Sequence, residues 1–390
     1  MSRAQRSSRM LVLALACVML GAAAEWRRAA APGATAREPR LAVKPASASA
    51  SAPAQLPRLT PRSSQRIPMP DGVPAAHASA LAVLPSGELL AFWWAGSRES
   101  APDVSLYLAR WADGRWSAAQ KVADRAWLGR ELGFGVRRIG NPSAWVAPDG
   151  RVHVFMVATG LGGWAAARVV QLESTDAARS FSVRRVLPLT PLADTSVLVR
   201  TNPVGLDDGG WLLPAYFELR NKYPMVIAFD ADGAPRWLSR IGRSTTALQP
   251  ALLPVSRTEL RAVMRDIGPS HRVQQAVSHD AGRHWDDLPP LAIPNRDDSV
   301  AALRLANGGF VMLHNDTLPG GSPRQWLRLS TSADALAWTP ALDVQRGQAG
   351  DEFSYPSVQQ LGRQLHVTYT AQRQAIGHQV YDIDDGEGAR

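Results

Sequence analysis

The side chains of this 390-residue chain that could do chemistry are carboxyls, phenols and guanidiniums, spread along its whole length. Its single cysteine, Cys17, falls in an apolar N-terminal run, and its eight histidines are scattered. No HExxH, CxxC, GxxxxGK(S/T) or GxSxG segment is present, and Gly133-Phe134-Gly135 does not continue as a dinucleotide fingerprint. No metal or cofactor is expected. The remaining candidates are Arg98 and Asp103, Glu218 in Tyr216-Phe217-Glu218-Leu219, Arg265, Arg324, and Tyr355 in Glu352-Phe353-Ser354-Tyr355-Pro356. Paired guanidiniums hold a carboxylate through bidentate hydrogen bonds, and a carboxyl can deliver a proton. A phenol, with a pKa of about 10, becomes a nucleophile when a base stands beside it. Each group also has a plain structural use. Tyr355 could be an inner-strand tyrosine, Asp103 could cap amides after Pro102, and Arg265 and Arg324 could pair with Asp266 and Asp316.

These groups need a scaffold that gathers distant segments. From residue 78 onward, short alternating or β-branched runs are split by turn signals, without a long helical stripe. One kind of hairpin turn recurs at Gly87, Gly150, Gly209, Arg257, Gly308 and Gly362, with spacings of 63, 59, 48, 51 and 54 residues. A second kind, an Asp/Gly turn followed by an aromatic, lies between them at Trp111–Trp116, Asp230–Trp237 and Ser278–Trp285. Two hairpins per repeat, at a period near fifty, predict the four-stranded blades of a propeller. Six blades fit, which makes the fold class all-β, a six-bladed β-propeller. The last repeat lacks a fourth strand after Ile376–Ile383, so an N-terminal strand, Arg66–Met69, is expected to close the ring and remove two exposed edges. A two-sheet sandwich explains the period less well.

Ser278–Trp285 fits S-x-D-x-G-x-x-W, the Asp box. Asp280 can bond turn amides, Gly282 can adopt a backbone conformation denied to other residues, and Trp285 can pack between sheets. Ser174–Phe181 is the same box with Ala for Gly and Phe for Trp, and Ser330–Trp338 is a more degenerate copy. These boxes are structural. With Ala95–Val104 (AGSRESAPDV) and Glu352–Ser357 (EFSYPS) in the first and last repeats, the chain over 64–390 resembles the sialidase (neuraminidase) superfamily, bacterial sialidase-like proteins with Asp-box (BNR) repeats.

That resemblance implies a glycosidase with an arginine triad for the substrate carboxylate, a Tyr nucleophile assisted by a Glu, and an Asp acid/base. The position of the first arginine, before Leu89-Leu90-Ala91-Phe92, is taken by His77. Arg66-Ile67-Pro68 matches the motif by letters but lies eleven residues too early. Arg98 and Asp103 match the next arginine and the acid/base. Arg265 and Arg324 match the other two triad positions, and Tyr355 matches the nucleophile. The assisting Glu reads as Gln249, so Glu352, Glu218 or Asp351 would have to substitute. A sialoside carries a carboxylate beside its anomeric carbon, so a neutral Tyr attacks with less repulsion than an Asp would. Asn141, Asn202 and Asn315, with Gln249, are expected to line the same mouth.

Residues 1–66 carry eleven basic residues against two acidic, and the rest of the chain carries 32 of each. The folded part is therefore neutral, and nucleic acid is not an expected partner. Arg3, Arg6 and Arg9 precede an apolar run, Met10–Ala24, that ends in Ala22-Ala23-Ala24. This is the pattern of a cleaved signal peptide over 1–24, with an uncleaved membrane anchor as the other reading. Residues 25–63, rich in Ala, Pro and Ser, read as a disordered linker ahead of the propeller domain, 64–390. The expectation is an exported monomer, periplasmic or secreted, that hydrolyses a terminal acidic sugar. A non-catalytic carbohydrate-binding propeller and an envelope scaffold are the alternatives.

Overall fold

The computed structural model describes residues 38–43, 56–189, 195–219, 221–316 and 323–384, with Leu13, Ala16, Cys17 and Met19 from the N-terminal segment. The expected signal segment otherwise lies outside the described residues, as does most of 25–55. Among the described residues, no helix is long and apolar enough to cross a membrane.

Six antiparallel sheets form six blades in a ring, a β-propeller. The first strands are Ala75–Val83, Arg138–Val146, Val197–Val199 with Val204–Gly205, Ala247–Pro254, Ala301–Arg304 and Phe353–Leu361, for blades one to six in turn. The six recurring turns at Gly87, Gly150, Gly209, Arg257, Gly308 and Gly362 each join the first strand of a blade to its second. All six therefore lie on one face of the ring. The turns between second and third strands, and the connections between blades, lie on the opposite face.

Burial explains the sequence texture. Strand Leu89–Gly96 (LLAFWWAG) is buried at every residue. Leu90, Phe92 and Trp94 pack towards blade two, and Leu89, Ala91, Trp93 and Ala95 pack towards blade six. Among the described residues, buried apolar side chains form six clusters, one at each junction between neighbouring blades. A blade covered on both faces needs apolar residues at consecutive positions, so strict alternation is lost where burial is greatest.

The ring is closed by an N-terminal strand, but that strand is Arg58–Arg66 and not Arg66–Met69. It pairs antiparallel with Ala375–Asp384, from Arg58 opposite Asp384 to Arg66 opposite Gly377. It is the outermost strand of blade six and exposes most of its residues, so RLTPRSSQR carries little apolar signal and reads like linker. The propeller thus begins before the expected Ser64. A second tie lies further upstream. Leu41 is buried among Leu206, Leu212 and Leu252, and its amide donates to the Arg257 carbonyl at 2.7 Å.

The Asp boxes are turn-building devices between third and fourth strands. Asp280 accepts from Ser278 Oγ at 2.8 Å and from the His284 amide at 2.9 Å, and Gly282 sits at φ 95. Asp176 and Asp334 accept from their own turn amides in blades two and five. The third box begins at Ser332, two residues after the expected Ser330, and is one residue shorter than the first.

Candidate active site

The first strands of four blades are interrupted by bulges. Register shifts fall between His77 and Ala80, Gly140 and Pro142, Leu248 and Ala251, and Ser354 and Ser357. Within these bulges Ala78, Gln249 and Tyr355 adopt φ values of 55, 51 and 50. A left-handed tyrosine costs roughly 1–2 kcal/mol, and a bulge re-aims the side chain it carries. Here it brings Tyr355 to the wall of a cavity of about 420 Å³, with Arg265, Gln249, Glu218 and Asn141. Trp94, Trp164 and Tyr216 supply aromatic lining. Gly140 makes room for one of them, since a Cβ there would stand 2.8 Å from the Trp164 ring.

Guanidiniums surround the tyrosine. Arg265, near the end of Leu260–Asp266, donates from Nη1 to Tyr355 Oη at 3.2 Å and from Nε to Asp297 at 2.6 Å. Arg324 donates to Asp298 at 3.0 Å and to Glu352 at 3.0 Å. The Cζ atoms of Arg200, Arg324 and Arg265 lie 5.2, 5.6 and 6.0 Å from the Tyr355 ring centre. Arg200 is fully buried and ties three blades together, donating to the carbonyls of Ser79 at 3.0 Å and Pro356 at 2.7 Å. Burial lowers its pKa to about 10, so it keeps its charge.

The carboxylates behind these arginines differ in state. Burial pushes Asp298 up to about 6 despite Arg324. Burial also works against the charge of Glu352, but hydrogen bonds from Arg373 and Ser354 and the charge of Arg324 outweigh it and hold the carboxyl below its usual range. Opposing guanidiniums favour the ionised form in this way.

The structure brings some of the sequence-derived candidates together at one cavity and places others elsewhere. Tyr355, Arg265, Gln249, Asn141 and Glu218 share the cavity, and Arg324 stands over the Tyr355 ring. Glu218 is paired with Lys222 Nζ at 2.9 Å, and Gln249 donates to Tyr216 Oη at 3.3 Å. Glu352, expected beside the tyrosine hydroxyl, instead holds Arg324, Arg373 and Ser354 Oγ. Asp351 accepts from the Gln348 amide and from the Gln372 side chain. His77 packs on Tyr355 with ring centres 4.2 Å apart. Burial, with Arg373, Arg324, Arg200 and Arg265 around it, holds His77 well below its usual pKa. It is a neutral ring, so the position of the first arginine carries no charge.

Asp103 and Arg98 are exposed and do not line the cavity; Glu99 and Ser100 of the same loop do. The Asp103 carboxyl accepts from the Ser97 amide at 2.8 Å and from its hydroxyl at 2.9 Å. Slight desolvation opposes these bonds, but they prevail and hold its pKa below the usual value. Asn202 lines a separate cavity of about 640 Å³ towards the other end of the axis. Asn315 is buried and donates to the carbonyls of Trp326 at 3.2 Å and Phe353 at 2.8 Å, stitching blade five to blade six. Neither asparagine reaches the cavity. Among the described residues, no three His, Cys, Asp or Glu side chains group as a metal site.

Sequence reasoning missed Arg200, Arg373, Glu99, Tyr216, Asp297 and Asp298. Arg373 lies in the turn between the second and third strands of blade six. A search of the turns on the face that carries Arg324 would have found it. Arg200 follows the inner strand Val197–Val199, where a charged residue gives no local hint of its partners.

This architecture and this cluster define a sialidase-like six-bladed propeller. The BNR repeat-like domain family matches residues 87–367, and the chain belongs to it. Among solved structures, the Hadza microbial sialidase Hz136 is similar at 16% identity and a TM-score of 0.66, over 79% of this chain and 66% of that one, a little under two thirds of its length. A protein of unknown function from Dyadobacter fermentans matches at 13% identity and a TM-score of 0.67, over 84% of this chain and 99% of that one. Trypanosoma rangeli sialidase in complex with sialic acid matches at 14% identity and a TM-score of 0.63, over 82% and 59%. At these identities the likeness is one of fold. No curated protein matches the sequence.

Proposed function

We propose that the protein is an exported exo-glycosidase of sialidase type, acting on a glycan that ends in a carboxylated sugar. The observation that carries this reading is the convergence of Arg265 and Arg324 around Tyr355 at the mouth of an aromatic-lined cavity. The sugar carboxylate binds the two guanidiniums, and the ring stacks against the indoles. Tyr355 Oη attacks the anomeric carbon as the bond to the leaving oxygen breaks, and its proton passes to Glu218 across the cavity and returns when the sugar is released. Asp103 protonates that oxygen, and then, as a base, activates the water that releases the sugar from the tyrosine. For this, Asp103 must leave Ser97 when ligand binds, because in the free protein Ser97 favours its ionised form. A leader removed on export and a linker ahead of the propeller would place the domain outside the cytoplasm.

One observation favours a second reading, a carbohydrate-binding propeller without hydrolysis. Among the described residues, the Tyr355 hydroxyl meets Arg265 and no carboxylate, and Gln249 is turned onto Tyr216. Fluorogenic glycosides of sialic acid and of Kdo, offered to the purified protein, separate the two. Turnover that Tyr355→Phe and Asp103→Asn abolish supports the glycosidase. Binding of the free acids without turnover supports the second reading, and neither binding nor turnover rejects both.

A further inference from the structure

One ion pair at the rim of the cavity takes no part in the steps above. Arg373 sits in its turn at φ 56, and its carbonyl accepts from the Ala76 amide at 3.0 Å, one residue before His77. Its Nε donates to Glu352 Oε2 at 2.7 Å, while Arg324 holds the other oxygen of the same carboxyl. Two guanidiniums, from blades five and six, therefore share one carboxylate. The second of them is half-exposed, and its Nη1 is taken by Glu99 from the Ser97–Val104 loop of blade one. Glu99 is half-exposed too, and it lines the cavity.

The two contacts of Arg373 are unequal. Glu352 is mostly buried and anchored by Arg324 and by Ser354 Oγ at 2.7 Å. The bond to Glu99 spans two loops in contact with water, where an ion pair contributes little and exchanges readily. His77 beside it is neutral, so the charges of that corner are guanidiniums, with Arg373 foremost among the four that act on the ring. A carboxylate on its exposed side meets the Nη1 that Glu99 now takes, with the fork available for a second bond.

We propose that Arg373 anchors the acid group of the ligand on the blade-six side of the cavity, and that Glu99 is a resident carboxylate which the ligand's own displaces. This rests on the acidic-sugar reading above. Release of Glu99 also frees the loop that carries Asp103, so ligand capture and loop movement are one event.

Calorimetric titration with N-acetylneuraminic acid, Kdo and their neutral methyl esters tests this. Arg373→Ala weakens binding of the acids by about tenfold or more and leaves the esters unaffected, the loss expected for a charge-assisted hydrogen bond. Arg373→Lys falls between, because an ammonium keeps the charge and loses the fork. Glu99→Gln tightens binding of the acids by removing their competitor. If Arg373→Ala binds the acids as the wild type does while Arg265→Ala does not, the proposal fails and the acidic-sugar reading stands. Weaker acid binding by Glu99→Gln also overturns it, since Glu99 would then be a ligand contact. Wild-type protein that binds neither acid removes both. Should Arg373→Ala not fold, as judged by its melting transition, Arg373→Lys and Glu99→Gln decide.

Discussion

Acidification from about pH 8 to about pH 5.5 should remove about 5 kcal/mol of folding stability, through histidines that the blades bury uncharged. Burial lowers His153, His314 and His366 to about 4 and His378 to about 3. Their unfolded value is about 6.5. The folded pKa lies below the unfolded one, so in this window the unfolded chain binds more protons. Stability is therefore full above about pH 7 and is lost as the pH falls towards the folded values. At about pH 5.5 each histidine costs about 1.4 kcal/mol, and the four together cost between 5 and 6 kcal/mol, roughly, with buried His77 acting in the same direction. Asp298 works in the opposite sense. Its folded value of about 6 exceeds the unfolded value of about 4, so acidification relieves part of its penalty, about 0.8 kcal/mol.

The remaining loss, about 5 kcal/mol, is comparable with the whole stability of a small domain. The weakest point is the seam between blades six and one, where Trp116 Nε1 donates to His378 Nδ1 at 3.0 Å. His378 Nε2 must then carry the proton it shares with His366 Nδ1, also at 3.0 Å, leaving His366 Nε2 without a partner. Each ring then already carries one proton, and a further proton on this pair has no acceptor. Urea unfolding followed by tryptophan fluorescence at the two pH values, at constant ionic strength, measures the difference. His314→Gln, which removes one titrating ring, should reduce it by about 1.4 kcal/mol. A difference below about 1 kcal/mol between the two pH values refutes the reasoning, because buried neutral histidines cannot give so small a slope.

Two further outcomes concern the scaffold. Asp280→Ala removes the acceptor of Ser278 Oγ and the His284 amide and should cost about 1–2 kcal/mol in urea unfolding, with ligand affinity unchanged, because the Asp box lies on an outer turn. Leu41→Ala should cost about 2–4 kcal/mol by the same measurement. Cleavage after residue 43 should have a similar effect, since the buried leucine fastens the upstream segment to blades three and four.

The blade plan was legible because it is written in local chemistry. Each of the six turns between first and second strands falls where the period placed it, and the Asp boxes follow from short-range bonds of Ser, Asp and turn amides. The strand that closes the ring was legible in kind but not in position. An outer strand buries little, so Arg58–Arg66 carries no apolar pattern and its pairing is set by the edge of blade six. At the site, Tyr355, Arg265 and Arg324 could be named from motif and order, but what each one touches could not. Glu352 proved to be a clamp for two arginines, Asp103 is held by Ser97, and Asn202 and Asn315 hold blades together.

The sequence by itself determined a neutral β-propeller with a phenol and two guanidiniums at recognisable places, because strand period, turn chemistry and charge count are properties of neighbours along the chain. Only the tertiary structure decided that Arg200 and Arg373 join them, that His77 is neutral, and that Glu99 faces Arg373 across the mouth. Those features depend on burial and on the approach of distant residues such as Glu99 and Arg373, 274 positions apart, and both exist only once the ring has closed.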